Sequence, residues 1–267
     1  MIVVGELINS TRKKIKEAMQ GKNSEYIKSL AEKQDRAGAD FIDVNAGAFV
    51  DDEIEKLEWA IEQVQSVTKK PLAIDSPRGE AIKRGLKLHR NGKPMINSIT
   101  KETERWKEVF PIAVEHDSYV LGLCIDDRGI PDDASTRFKI AMSIIEDLLK
   151  AGKRFEDIAI DPITTPLSVN TKYGLTVLQT IKLLREEYPG LKIITGLSNI
   201  SFGLPARKQI NRAFLIACMV HGLNGALIDP LDQVLMSMMR ATEALLDKDP
   251  YCSGYLKAYR AGLVVKD

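Results

Sequence analysis

Pro71-Leu72-Ala73-Ile74-Asp75-Ser76 is a short apolar run that stops on a carboxylate and a hydroxyl, and Met95-Ile96-Asn97-Ser98 repeats the pattern after a helix pattern at Glu80–Leu88. Runs this short and this apolar read as strands of a parallel sheet covered on its outer face. The same unit recurs on both sides of this stretch. Strands are expected at Ile2–Gly5, Phe41–Asn45, Pro71–Asp75, Met95–Asn97, Tyr119–Leu123, Ile158–Asp161, Lys192–Leu197 and Ala226–Asp229. Helices are expected at Ser24–Ala37, Asp51–Val67, Glu80–Leu88, Glu104–Glu115, Ser135–Ala151, Leu175–Glu187, Ile210–His221 and Gln233–Leu246. The first places Ile27, Leu30, Ala31 and Gln34 on one face with Gly38 as its C′ residue. The second carries Ile54, Leu57, Ala60, Ile61 and Val64, and Gly152 closes the fifth.

Eight strand–helix alternations without a long linker predict a parallel α/β architecture. Two features favour a closed barrel over an open sheet. Eight strands close around a filled interior. Polar residues gather at many strand C-termini, as at a barrel mouth, whereas an open sheet concentrates them at one switch point. The expectation is a single (β/α)8 TIM barrel over residues 1–267, since such barrels use about 250 residues. The tail after Asp247 is expected to pack as an extension.

With 38 Lys and Arg against 37 Asp and Glu, the net charge is +1, and nothing argues for nucleic acid or an anionic membrane as partner. No apolar run reaches membrane-spanning length, and Met1–Glu6 lacks the basic flank and apolar core of a signal peptide, so a cytoplasmic location is expected. Cys124, Cys218 and Cys252 are scattered and form no Cys-x-x-Cys pair. They are expected to be free, buried or partly buried thiols, with no disulfide framework and no metal site.

The strand ends carry the chemistry. They read Gly5-Glu6 and then Asn9, Asp43-Val44-Asn45, Asp75-Ser76, Asn97-Ser98, Asp161, Ser198-Asn199 followed by Ser201 and Arg207, and Asp229. Histidine and cysteine are absent from this ring. Carboxylates accept hydrogen bonds, and carboxamides both accept and donate. Such a set matches the edge of a flat heterocycle that carries an amino group, ring N–H groups and a carbonyl, as a pterin does, with a carboxylate taking two parallel hydrogen bonds. Asp and Asn after strands also cap helices and form turns. For Asp43, Asn45, Ser76, Ser98 and Asp229 that structural role stands level with a ligand role. For Asp75, Asn97, Asp161 and Asn199, directly at strand ends, the ligand role is the stronger expectation.

Other features are expected to be structural. His116 and His221 fall in last helical turns, where a cation complements the helix dipole, and His89 belongs to a helix end. Met236, Met238 and Met239 belong to core or subunit interface. Lys13–Glu17 and Lys101–Glu108 read as solvated helix faces. The glycines of Gly196–Gly203 do not form a dinucleotide fingerprint, and neither a Gly-x-Ser-x-Gly elbow nor a Walker loop is present.

Six segments in this order resemble the pterin-binding methyltransferases: Gly-Glu-Leu-Ile-Asn (5–9), Asp-Val-Asn-Ala-Gly (43–47), Asp-Ser (75–76), Met-Ile-Asn-Ser (95–98), Ile-Asp-Pro (160–162) and Gly-Leu-Ser-Asn-Ile-Ser (196–201). The chain resembles the methyltetrahydrofolate:corrinoid/iron–sulfur protein methyltransferase family and the folate domain of cobalamin-dependent methionine synthase. The likeness runs on through Ile210–Leu215 to Tyr251-Cys252. It implies a (β/α)8 barrel, usually a homodimer. Asp75, Asn97 and Asp161 would hold the pterin edge, and Asn199 would lie near N5, the nitrogen that carries the methyl group. Glu6, Asn9 and Arg207 would complete the pocket or its hydrogen-bond network, and Gly196, Ser198 and Ile200 would line it.

The implied activity moves a methyl group between N5 of tetrahydrofolate or 5-methyltetrahydrofolate and the cobalt of a corrinoid (cobalamin). Asn199, Asp161 and Asn97 would carry it, by favouring positive charge at N5 in the transition state. None of the three histidines sits in an Asp-x-His-x-x-Gly pattern, so the corrinoid is expected on a partner, such as a corrinoid/iron–sulfur protein. The nearest competitor is dihydropteroate synthase. Its members usually read Asn-x-Thr-Pro-Asp-Ser-Phe near the N-terminus and Asp-Pro-Gly-x-Gly-Phe after the sixth strand. This chain reads Ile8-Asn9-Ser10-Thr11-Arg12-Lys13 and Asp161-Pro162-Ile163-Thr164 there. A non-catalytic pterin-binding subunit is a third class, and a turnover assay with a reduced corrinoid separates the three.

Overall fold

The protein, here a computed structural model, is described over residues 1–265. Eight strands, β1 (Ile2–Asn9), β2 (Phe41–Asn45), β3 (Leu72–Asp75), β4 (Met95–Lys101), β5 (Tyr119–Asp126), β6 (Ile158–Asp161), β7 (Lys192–Gly196) and β8 (Gly225–Ile228), pair in chain order and close into a barrel. Each neighbouring pair is parallel, including β8 with β1. This is the (β/α)8 barrel expected from the alternation.

The strand period of two builds the barrel in layers. One residue from each strand (Val4, Phe41, Ala73, Met95, Leu121, Ala159, Ile194 and Leu227) fills the interior as an apolar plug, joined by Ile2, Tyr119 and Leu123. The intervening residues, such as Ile42, Ile74, Ile96, Val120, Ile158 and Ile193, face outward into the larger core beneath the helices. Two residues beyond the plug, on the same inward face, the chain reads Glu6, Asp43, Asp75, Asn97, Leu123, Asp161, Gly196 and Asp229. The polar strand ends are therefore a second storey standing on a hydrophobic floor.

The outer layer comprises α1 (Lys13–Gln20), α2 (Ser24–Arg36), α3 (Glu53–Gln65), α4 (Gly79–Leu88), α5 (Thr103–Glu115), α6 (Ala134–Lys150), α7 (Tyr173–Glu187), α8 (Arg207–Val220) and α9 (Gln233–Leu245), with α10 (Ser253–Arg260) in the tail. Gly38 and Gly152 take positive φ just past α2 and α6, as their C′ positions require. Gly5 is needed for a different reason. A Cβ there would come within 2.4 Å of Gln34 Oε1, the atom that accepts the Leu7 N–H at 3.1 Å. A buried side chain of α2 thereby bonds β1 where the register with β2 shifts, between Gly5 and Ile8.

Several expectations need adjustment. β1, β4 and β5 run three to four residues past their expected ends, because the barrel stagger carries pairing to Asn9, Lys101 and Asp126. β8 stops one residue short of Asp229. Helix α1 adds to the eight expected, and buries Ile15, Ala18 and Met19 under a charged outer face. Lys101 is not on a helix: it ends β4, pairs with Asp147 and lies 3.5 Å from the centre of the Trp106 ring. The three cysteines are free, but Cys252 is exposed, since it sits in the tail outside both cores. His116 and His221 close α5 and α8, each with ring Nδ1 on the carbonyl four residues back, at 3.0 and 2.8 Å, and His89 ends α4. Met236 and Met239 are core residues. No helix among the described residues is long and apolar enough to cross a membrane.

Candidate active site

The C-terminal mouth of the barrel gathers the carboxylates and amides singled out at the strand ends. Its floor is formed by Asn97 and Asp161, exposed by only 7% and 8%. Asp161 ends β6 and is held firmly. Its Oδ1 accepts from Ile163 N–H at 2.7 Å and Thr195 Oγ1 at 2.9 Å, and its Oδ2 accepts from Gly196 N–H at 3.2 Å. Burial pushes this carboxyl up to about 6, and the three donors with the nearby Arg137 charge oppose the shift.

Across the barrel, Asn97 Nδ2 donates to Asp43 Oδ1 at 3.0 Å. Asp43 is almost wholly buried. Burial, with the Asp75 charge added, raises its carboxyl well above the usual range, and Asn97 opposes this. Asp75 is raised too, again mainly by burial, with the Asn45 side chain and the Arg105 guanidinium opposing. Glu6 completes the ring, raised by burial against the pull of Arg12. Its Oε1 accepts from Arg12 Nη2 at 2.8 Å and its Oε2 from Ser198 Oγ at 3.0 Å. Four carboxyls thus share a low-dielectric mouth with few cations among them. Such an arrangement is poised to accept N–H donors from a ligand.

Two hollows open above this floor. One of about 490 Å³ is lined by Glu6, Ser198, Asn199, Phe202, Arg207 and Asp229, among others. The other, about 570 Å³, is lined by Asn45, Asp75, Ser76, Ser98 and Arg105, among others. Asn199 sits in the single helical turn after β7 and is exposed. Its side chain has no hydrogen-bond partner among the described residues, in contrast to Asp161 beside it. Arg207 is tied down, with Nε to Ser201 Oγ at 3.0 Å and Nη2 to Ser198 O at 2.8 Å. Gly196 supplies its N–H to Asp161, and Ile200 is buried beneath the turn.

Of the ten residues expected at the pocket, Asp75 faces one hollow, Glu6, Ser198, Asn199 and Arg207 face the other, and Ile200 is buried. Asn97, Asp161 and Gly196 line neither hollow and lie on the inward face of β4, β6 and β7. Asn9 is not brought to either hollow: its Oδ1 accepts from Thr11 N–H at 3.0 Å and Thr11 Oγ1 at 2.7 Å, which closes the turn after β1. The residues with two level readings divide. Asn45, Ser76 and Asp229 form turns, accepting from Gly47, Arg78 and Leu231 N–H respectively. Asp43 caps nothing and belongs to the buried ring.

Two arginines escaped the strand-end reading. Arg105 lies within Lys101–Glu108, but it is no solvated face: its guanidinium donates to Ser76 O at 2.6 Å, Ser98 O at 2.6 Å and Pro77 O at 2.5 Å. Arg12 pairs with Glu6. Both come from helices or loops, and only the closed barrel brings them to the rim. Among the described residues no group of three or more His, Cys, Asp or Glu could hold a metal ion.

An eight-stranded barrel whose mouth is a ring of carboxyls and carboxamides presents hydrogen-bond acceptors where barrel sites lie. The chain belongs to the pterin binding enzymes: that family's model matches residues 5–229. It is 35% identical to "methylcorrinoid:tetrahydrofolate methyltransferase" of Eubacterium limosum, over 99% of this chain and 98% of that one. It is 28% identical to methionine synthase of Mycobacterium tuberculosis, over 85% of this chain but only 20% of the longer enzyme. Among solved structures, dihydropteroate synthase of Xanthomonas albilineans with 4-aminobenzoic acid superposes with a TM-score of 0.69 at 17% identity, covering 94% of this chain and 92% of that one. Dihydropteroate synthase of Coxiella burnetii with pteroic acid gives 0.63 at 15%, covering 95% and 93%. At such identities these structures speak for the fold alone.

Proposed function

We propose that this chain is a methyltransferase that moves a methyl group between N5 of tetrahydrofolate and the cobalt of a corrinoid carried by a partner protein. The near end-to-end likeness to the Eubacterium limosum enzyme carries the reading, and the acceptor set at the mouth fits the pterin. Asp75 and Asp161 offer carboxylate oxygens to the ring N–H and amino groups. Asn97, its amide nitrogen committed to Asp43, offers its carbonyl oxygen. Glu6, Ser198 and Arg207 shape the wall beside Asn199, and Gly196 allows close approach.

The corrinoid supplies an electrophilic methyl group in one direction and a strongly nucleophilic cobalt in the other. What this chain's residues supply is control of N5. When tetrahydrofolate accepts a methyl group, N5 gains the carbon and releases a proton. In reverse, N5 must acquire positive character before its carbon can leave. The unbonded Asn199 carboxamide can accept from a protonated N5 and donate to a bare one, which makes it the residue suited to both. Asp161 and Asn97 orient the ring. The name of the Eubacterium limosum enzyme places the methyl group on the corrinoid first, and we assign the same direction here.

We also assign a cytoplasmic homodimer acting as one unit over residues 1–267, with a separate corrinoid protein as partner. The family resemblance supports this assembly, and Leu245 and Tyr251, exposed by 84% and 97%, offer apolar surface near the C-terminal extension. Sedimentation at equilibrium tests it.

The deciding experiment is calorimetric titration with tetrahydrofolate and 5-methyltetrahydrofolate, on wild type and Asp75→Ala. Saturable binding that the substitution weakens by at least about tenfold, the loss of one charge-assisted hydrogen bond, supports the reading. A folded wild type that binds neither ligand overturns it. Product formed from a dihydropterin pyrophosphate and 4-aminobenzoate would redirect the assignment to a synthase.

A further inference from the structure

Arg137 is the largest fully buried side chain described, at 0% exposure, and lies in the first turn of α6. A buried guanidinium ordinarily needs a carboxylate against it, because desolvating an unpaired charge is costly. Arg137 forms no salt bridge among the described residues. It donates instead to backbone carbonyls: Nε to Pro131 O at 2.8 Å, and Nη1 to Pro162 O at 2.9 Å and Ile163 O at 2.5 Å. Its Nη2 is buried without a hydrogen-bond partner. The expected eight-strand pattern gave no reason to single this residue out.

The two carbonyls on Nη1 belong to the segment leaving β6, directly behind Asp161. Ile163 stands there at φ 60, a left-handed conformation that a β-branched residue strongly disfavours. The same residue turns its N–H onto Asp161 Oδ1 at 2.7 Å. The Pro162 carbonyl and the Ile163 N–H are the two ends of one peptide unit, whose planarity points them in opposite directions. A guanidinium on the oxygen and a carboxylate on the N–H polarise that unit in the same sense, so each hydrogen bond strengthens the other.

We propose that Arg137 is a positioning residue for Asp161, acting through the Pro162–Ile163 peptide to keep the carboxyl oriented and ionised for a ligand's amino and ring N–H groups. The proposal rests on the reading of Asp161 as a pterin-binding residue. Thr195 Oγ1, itself hydrogen bonded to Thr164 at 2.8 Å, and the Gly196 N–H fix the carboxyl from the β7 side. Arg137 supplies a full positive charge near it.

The groups around Asp161 are few. Arg137 faces it from α6, the Cys124 thiol from β5 and the Cys218 thiol from α8. Burial pushes both thiols far above neutrality, so they stay protonated while Asp161 titrates. Cys124, Asp161, Tyr173 and Asp132 surround Arg137 itself. Cys124 and Tyr173 also feel the guanidinium charge, but both are held above their ordinary alkaline values, so Asp161 is the group beside Arg137 whose shift falls within a neutral to mildly acid range.

The test is anaerobic binding of tetrahydrofolate from about pH 5 to about pH 8.5, on wild type, Arg137→Met and Arg137→Gln, with thermal melts to confirm folding. Glutamine keeps an amide donor for the carbonyls and loses the charge, so it serves if methionine fails to fold. In either variant the acid limb of binding is expected to move up by about one pH unit, with affinity about tenfold weaker near pH 5.5 and restored near pH 8.5. Weakening by the same factor at every pH, or an unmoved limb in either folded variant, overturns the positioning role and leaves Arg137 as packing. Absence of binding by wild type is a separate outcome and removes the pterin reading on which the proposal stands.

Discussion

The two ends of the barrel carry the same residue types and treat them oppositely. At the N-terminal end, Asp157 lies between Lys93 and Arg154, at 2.7 and 2.9 Å, and Lys93 also pairs with Asp117 at 2.5 Å. Burial would raise Asp157, but the hydrogen bonds and charges of Arg154 and Lys93 outweigh it and hold the carboxyl below its usual range. Nearby, Lys153 Nζ is spent on the carbonyls of Ala113 and His116 at 2.9 and 2.8 Å. At the C-terminal end, Glu6, Asp43, Asp75 and Asp161 all lie above their usual range, each chiefly through burial. Paired charges at one end stabilise the barrel. Carboxyls left short of cations at the other cost stability and keep their acceptor capacity for a ligand, which is how a barrel divides stability from function.

That contrast can be broken from either side. The largest effect is expected at the mouth: Asp161→Ala should weaken tetrahydrofolate binding by at least about a hundredfold, the loss of two charge-assisted hydrogen bonds, while circular dichroism stays native. Asn199→Ala should slow single-turnover methyl transfer about a hundredfold, the scale of removing one donor to a developing charge. Its melting temperature should hardly move, because the Asn199 side chain is exposed and has no hydrogen-bond partner among the described residues. Unchanged kinetics would take Asn199 out of the mechanism.

At the other end the signature should invert. Asp157→Asn removes the anion shared by Lys93 and Arg154 and should cost roughly 1–3 kcal/mol in denaturant unfolding, with tetrahydrofolate affinity unaltered. A change in affinity there would mean that the two ends are coupled. The most discriminating effect is in pH. Asp161 sits at about 6 in the folded protein, and its charged form takes the ligand's N–H groups. Asp75, the other carboxyl offered to the ligand, is raised to about 6 as well, so affinity should fall as pH drops through about 6, by at most about a hundredfold per unit where both protonate. Asp157 has a depressed value, so the stability it contributes is lost only as pH falls below the usual carboxylate range. Between these windows the protein should remain folded and bind weakly, and parallel loss of binding and fold on acidification would erase the distinction between the ends.

Much of this was legible residue by residue. The run that ends in Asp75 and the one that ends in Asn97 show both a strand and its polar tip, because period-two alternation in a covered strand leaves few alternatives. Asp161 and Asn199 were singled out by the same signal. Asn9 was singled out by it too, and its side chain closes the turn after β1, as a short polar side chain after a strand readily does. Asp43 was undecided for the converse reason: nothing local says whether a carboxyl three residues into a strand points to the barrel axis. Arg105 and Arg137 gave no local signal at all. Each sits in a helix among charged or mixed neighbours, and its partners are backbone carbonyls 6 to 29 residues away.

The sequence by itself determined the eight strand–helix units, the polar strand tips and the family, because hydrophobic periodicity and short motifs are properties of neighbours along the chain. Only the tertiary structure decided which polar groups are paired and which are left wanting. Closing the barrel sets the dielectric around each carboxyl and the distance from each cation, and both depend on residues far apart in sequence. The same barrel therefore holds Asp157 ionised to maintain the fold and raises Asp161 toward neutrality at the mouth.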